Sequence, residues 1–261
     1  MFSTRAARLT ALPLPGSEKK KEFVGPPGAA TDLTMTATVT DSRLNQALRF
    51  FDTPIGKKVV MALTGVILFG FVLGHMAGNL QVFLGREVFD HYAEILRGNP
   101  ALLWGVRTVL FVSVMLHITA SIQLIALKQK ARPVAYQKKA AVDSSLASRT
   151  MTWSGPLLAV FIVYHLLHMT FGTVHPSFEE GHVYDNVISG FRVIPVSIAY
   201  VLAMILLGMH LNHGLWSMFQ SLGVAHPRYS TGLRRFANIF SILVVLGFIS
   251  IPIAILAGYG S

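Results

Sequence analysis

The stretch LTGVILFGFVLGHMAGNLQ, residues 63–81, holds no charged residue and one histidine, His75, deep inside it. Backbone polar groups find no water partner in lipid, so an apolar run of this kind crosses a bilayer as a helix. A second run, WSGPLLAVFIVYHLLHMTFG at 153–172, repeats the pattern. Gly65 and Gly155, each preceded by a hydroxyl residue (Thr64, Ser154), stand ten positions before His75 and His165. Two further apolar runs place His117 and His210 at the opposite depth. The chain reads as a scaffold that holds four histidines in two layers inside a membrane.

Of 261 residues, 52% are hydrophobic and 13% charged, against about 25% charged in a soluble domain. The deficit falls in five stretches, 59–83, 102–127, 151–174, 193–221 and 236–259, each near the length of about 20 residues that a spanning helix needs. The alternation of barrel strands is absent. The predicted fold is therefore all-α: a five-helix transmembrane domain over 46–261. It follows an N-terminal extension, 1–45, whose prolines, small polar residues and Lys19-Lys20-Lys21 predict disorder. The chain has no cysteine, which excludes disulfides, thiolate ligands, iron–sulfur clusters held by this chain and covalent haem attachment.

The formal charge is +10, and 18 of the 22 Lys and Arg lie in residues 1–58, 128–149 and 222–235. Basic residues stay on the cytoplasmic side, so the N-terminus is expected inside and the C-terminus outside. The localisation implied is the cytoplasmic membrane, crossed several times. The basic inner face suits anionic lipid or an acidic soluble partner. Nucleic acid is not expected, because no aromatics interleave with the basic residues on a soluble module.

Residues 44–56 are expected to form a short interfacial helix with Phe50 and Phe51 toward lipid. The segments 84–100 and 175–192 read as outer loops, and 128–149 as the largest inner loop. The fifth span, without histidine or charge, reads as a packing helix interrupted by Pro252.

Depth follows from a rise of about 1.5 Å per residue. His75 lies 17 residues beyond Lys58 and His165 lies 16 beyond Arg149, about 25 and 24 Å from the inner edge. His117 lies 11 residues before Lys128, and His210 lies 11 before Ser221, each about 16 Å deep. Ionisable groups at such depth are rare and functional. Haem iron with two axial imidazoles needs one neutral histidine from each of two helices, small residues for close approach, and an apolar shell. Gly70, Gly74, Gly78, Gly172, Gly208 and Gly214 flank the histidines. Zinc fits less well, since its four ligands converge on one point and two layers do not. His168 and His213 are alternates to His165 and His210; the glycine register favours His165, and depth favours His210. Arg107, the one full charge inside a span, is a candidate partner for a haem propionate. In the segment 84–100, His91 and Glu94 are candidates for proton exchange with a quinone.

The stretches IGKKVVMALTG, LGHMAGNLQVFLG, LHITASIQL, VYHLLH and MHLNHGLWSMFQSLG make the chain resemble a known family over about residues 50–259. It is the diheme cytochrome b membrane anchor of succinate dehydrogenase and fumarate reductase, the single-polypeptide, five-helix type. The resemblance implies two b haems, with His75 and His165 on the distal iron and His117 and His210 on the proximal one. It implies a flavoprotein subunit, an iron–sulfur subunit on the inner face, and quinone, usually menaquinone. The chain alone would be non-catalytic toward succinate, an electron-transfer and quinone-binding subunit.

Two other functions compete. A haem-free transporter using histidines as relays would carry intramembrane carboxylates too, and none of the predicted spans has an Asp or Glu. A diheme cytochrome b of a different dehydrogenase is opposed only by the motifs. Quinone has two expected places, an inner one near Trp216, Ser217 and Gln220, and an outer one near Asn79, His91, Glu94 and Arg107. The outer histidine layer favours the second, with Glu94 as proton carrier if partial burial raises its pKa.

Overall fold

The computed structural model of the chain describes residues 49–131 and 146–260. The expected disorder over 1–45, residues 44–48 of the interfacial helix, and the centre of the basic loop lie outside the described residues. Five helices are long and apolar enough to cross a membrane, as the sequence predicts. They are α1 (Pro54–Asn79), α3 (Pro100–Lys130), α4 (Leu146–Met169), α6 (Ile194–Ser221) and α7 (Ser230–Leu256). Among the described residues there is no strand. Exposed Phe111, Val160, Ile239 and Leu246 mark surface that a bilayer would cover.

Local chemistry sets the helix starts. Thr53 Oγ1 accepts from the Gly56 N–H at 2.9 Å, and Pro54, with no N–H to leave unpaired, opens α1. Asn99 and Pro100 repeat the device for α3, Asn99 Oδ1 accepting from the Leu102 N–H at 3.0 Å. Ahead of α1, residues 49–52 are helical, and the buried Lys57 ammonium donates to the carbonyls of Phe51 and Asp52 at 3.0 and 2.9 Å.

The α7 helix runs unbroken through Pro252 to Leu256, which corrects the interruption expected there. The proline removes only its own N–H from the ladder. A break at this depth would unpair a full turn of backbone in lipid. Pro156 is carried inside α4 in the same way.

The expected outer loops also contain helices: α2 (Arg86–Gly98) and α5 (Val183–Arg192). With the 3-10 turn Leu80–Leu84 they form a cap over one end of the bundle. The main apolar core lies at this capped end, where Val82, Phe89, Val187, Ile188, Phe191, Tyr200, Ile251 and Ile255 pack together. Polar links close it. Arg86 pairs with Asp185, a hydrogen bond that raises the guanidinium pKa. Asp90 accepts from the Tyr184 N–H at 2.9 Å, and the Tyr259 hydroxyl donates to the Val82 carbonyl at 2.9 Å. The opposite, basic end carries Lys57, Lys58, Lys128, Lys130 and Arg149.

The spanning helices pack as α1 on α3, α4 on α6 and α6 on α7. The helices that carry each expected histidine pair, α1 with α4 and α3 with α6, are not among these closely packed pairs.

Candidate cofactor site: two pairs of facing histidines

Near the capped end, the His75 and His165 rings stand 5.8 Å apart between centroids. Nearer the basic end, His117 and His210 stand 6.4 Å apart. Two opposed imidazoles on one metal, bonded at about 2 Å and each about 1 Å from ring centre to nitrogen, have centroids about 6 Å apart. Both pairs meet that spacing. No three His, Asp or Glu converge on one point among the described residues, so the donors come as pairs.

Each of the four rings is held at Nδ1 by a neighbour. Thr64 Oγ1 lies 3.0 Å from His117 Nδ1 and also 2.8 Å from the Val60 carbonyl. A carbonyl can only accept, so the hydroxyl gives it the proton and accepts from the His117 Nδ1–H. That leaves the lone pair on Nε2, the nitrogen a metal needs. Ser154 repeats the arrangement more loosely, 3.4 Å from His210 Nδ1 and 3.4 Å from the Met151 carbonyl. At the other pair, Tyr200 holds His165 Nδ1 at 3.2 Å, and the Asn79 amide lies 3.2 Å from His75 Nδ1. Phe71 stacks on His75 at 5.2 Å and Phe161 on His165 at 6.0 Å, giving that pair aromatic walls.

The hydroxyl–glycine doublets thus serve the neighbouring helix. A Cβ on Gly65 would touch His117 at 3.7 Å, and one on Gly155 would touch His210 at 4.0 Å. The two halves repeat: α1 supports the histidine of α3 as α4 supports that of α6. The flanking glycines divide by role. Gly70, Gly74 and Gly214 face open space, Gly78 is covered by Tyr92, and Gly208 by Val245 of α7. Gly172 ends α4 at φ +70° against Phe178, a left-handed turn suited to glycine.

The expected alternates sit apart from the pairs. His168 is fully buried, one turn beyond His165, between Tyr164, Tyr200 and His175. His213 is half-buried and lies a turn nearer the basic end than His210. Arg107 is exposed and stacks on Trp104 at 5.1 Å. His91 and Glu94 face each other at 3.6 Å, both side chains 72% exposed, so the partial burial expected of Glu94 is not found.

Residues 128–249 match the family described as succinate dehydrogenase/fumarate reductase transmembrane subunit. Over that stretch, a little under half of the chain, the sequence is similar to that family. The matched stretch includes α4 and α6, with His165 and His210; α1 and α3 lie largely or wholly ahead of it. No curated protein and no solved structure matches the chain. Its five apolar helices and this match support a multi-pass membrane protein.

Three features of the subunit escape sequence reasoning. Tyr200 carries no flag in an apolar run. Tyr92 and Gln81 line a surface cleft of about 540 Å3 at the capped end, together with Glu87, Val88, His91 and Ile95. The signal that could have revealed it is the helical spacing of Val88, Tyr92 and Ile95 behind Gly85. A second, apolar cleft of about 460 Å3 lies between α1 and α3, lined by residues that include Phe71 and Gly105.

Proposed function

We propose that this subunit holds two b haems, one in each histidine pair, and passes electrons between an iron–sulfur subunit and a quinone, menaquinone by its resemblance. The observation that carries the reading is the pair of facing imidazole couples, both near 6 Å, each drawn from two helices. When bound, haem supplies one-electron chemistry. The chain's part is to present Nε2 of His75, His165, His117 and His210. It fixes Nδ1 protons through Thr64, Ser154 and Tyr200, and surrounds the rings with apolar side chains. At His75 the Asn79 amide nitrogen also donates to the His75 carbonyl at 2.7 Å, so ligation through Nε2 would require that amide to move away from Nδ1. Arg107, near the capped end of α3, is the proposed propionate partner.

The expected orientation places the basic end in the cytoplasm of a bacterial-type inner membrane and the capped end outside. At the basic end the iron–sulfur subunit would dock near Trp216, whose ring is covered by Arg234 at 4.4 Å, and Gln220. Reporter fusions in 133–145 should read as cytoplasmic and those in 176–182 as external; the reverse pattern would reject this orientation. A flavoprotein subunit would complete the assembly. Succinate added to the complex should then reduce b-type absorption. Bands that stay oxidised while an artificial acceptor is reduced would sink the electron-transfer role.

Quinone is assigned to the capped-end cleft. His91 lines the cleft and, with Glu94 beside it at 3.6 Å, offers proton exchange, and Gln81 and Tyr92 offer hydrogen bonds to a carbonyl. Glu94→Gln is expected to slow quinone turnover roughly 10-fold or more, within the range of a lost general acid–base group. Both haems and succinate oxidation by an artificial acceptor should survive. Wild-type quinone turnover would remove Glu94 and move the assignment to Trp216, Ser217 and Gln220.

Thr64→Val keeps the shape and removes the acceptor of His117 Nδ1. Loss of such a partner typically weakens metal binding about 10–100-fold. The variant should lose the basic-end haem faster to a haem-scavenging protein and keep the other. Equal loss of both haems would contradict the assignment.

A further inference from the structure

Tyr200 is a buried residue of α6 whose hydroxyl lies between two imidazoles, 3.2 Å from His165 Nδ1 and 3.0 Å from His168 Nδ1. A phenol has one proton to give and lone pairs to accept with. It therefore donates to one ring and accepts from the other. His168 is fully buried, and its Nε2 has no partner. That edge faces α5: a Cβ on Gly190 would stand 3.0 Å from His168 Cε1 and 3.3 Å from Nε2. His168 therefore faces the cap, while the His165 ring stands 5.8 Å from His75.

We propose that Tyr200 is a positioning residue for the capped-end haem, holding His165, which would bind it, by accepting its Nδ1–H, with His168 as the acceptor that fixes the Tyr200 proton. The inference rests on the haem reading above. Ligation through Nε2 puts the His165 proton on Nδ1, so the tyrosine oxygen accepts it and the phenol proton goes to His168 Nδ1. The unpartnered His168 Nε2 then carries the remaining proton, facing the cap. The basic-end pair is built differently. Thr64 and Ser154 are fixed by backbone carbonyls of their own helices, whereas Tyr200 is fixed by a second histidine beneath α5. A hydrogen bond from the ligand's N–H to a polarised oxygen increases electron density on the imidazole and favours the oxidised metal. Tyr200 and His168 thus hold the capped-end midpoint potential down and leave the other unaffected.

The test compares Tyr200→Phe with the parent complex, assigning the two haems with His75→Ala. Both haems should remain bound, the capped-end potential should rise, and its low-spin resonance signature should change. The basic-end haem should show neither effect. His168→Leu should shift the same haem in the same direction by less, and His168→Asn, with an oxygen able to take the place of Nδ1, should reverse part of that shift. An unchanged capped-end potential and signature in Tyr200→Phe, or a shift in the basic-end haem, would overturn the proposal. Nitrogen-15 magnetic resonance of labelled histidines in the haem-free chain adds an arm independent of the cofactor. Loss of two hydrogen-bonded Nδ1 signals in Tyr200→Phe supports the bridge even if no haem binds, an outcome that would reject the haem reading alone. Retention of both signals would overturn the bridge.

Discussion

Alanine at His75 or His165 is expected to abolish the low-spin signal of the capped-end haem and leave the other in place. Alanine at His117 or His210 should do the reverse. Each variant should roughly halve the haem content, because one imidazole cannot hold a bis-histidine haem low-spin. The geometry makes the contrast with the neighbouring histidines sharp. His165 faces His75 across 5.8 Å, while His168 is enclosed by Tyr164, His175 and Gly190. His168→Ala should therefore retain both haems and only perturb one, and His213→Ala should behave likewise at the other pair. Haem per polypeptide and low-temperature resonance spectra measure this. If His168→Ala removed a haem that His165→Ala spared, the facing-pair assignment would be wrong.

The second large effect is expected in the cap. Gly190→Ala places a methyl group 2.8 Å from His175 Nε2 and 3.0 Å from His168 Cε1. In a helix interior, alanine would ordinarily gain about 1 kcal/mol over glycine. Overpacking of this kind costs typically about 1–3 kcal/mol, and His175 has little room to move. Its Nε2 donates to the Asn186 carbonyl at 2.8 Å, and its Nδ1 accepts from the Ser177 N–H at 3.1 Å. Neither bond survives a rotation of the ring. The clash should win, lifting α5 off the end of α4. The expected result is a lower thermal midpoint for the capped-end haem, easier proteolysis between 172 and 192, and an unaffected basic-end haem. A variant as stable as the parent would mean that the cap yields more freely than this packing implies.

The layering of histidines was legible because helix rise and alternating direction fix depth from the charged ends alone. Depth carries His75 to the level of His165 and His117 to that of His210, and in the fold those rings face each other. The doublets Thr64-Gly65 and Ser154-Gly155 were visible too, but they marked something other than the histidine ten positions on. Thr64 bonds His117, and Ser154 bonds His210. That pairing depends on which helices are neighbours, and hydropathy does not say which. The cap was hidden for a different reason. The charges of 84–100 and 175–192 resemble a solvated loop, yet Phe89 and Phe191 are buried beneath α2 and α5. Pro252 misled because its local rule, a break, is weaker than the need to keep backbone paired in lipid. Tyr200 gave no sign at all: its role exists only where α4 meets α6.

The reading as a two-haem membrane subunit is tested most directly by a reduced-minus-oxidised spectrum of the purified chain with a pyridine haemochrome assay, counting b haems per polypeptide. One haem for each facing pair of histidines, two per chain, is the predicted result. A chain that inserts and folds with no b haem, in the presence of ample haem, would contradict it.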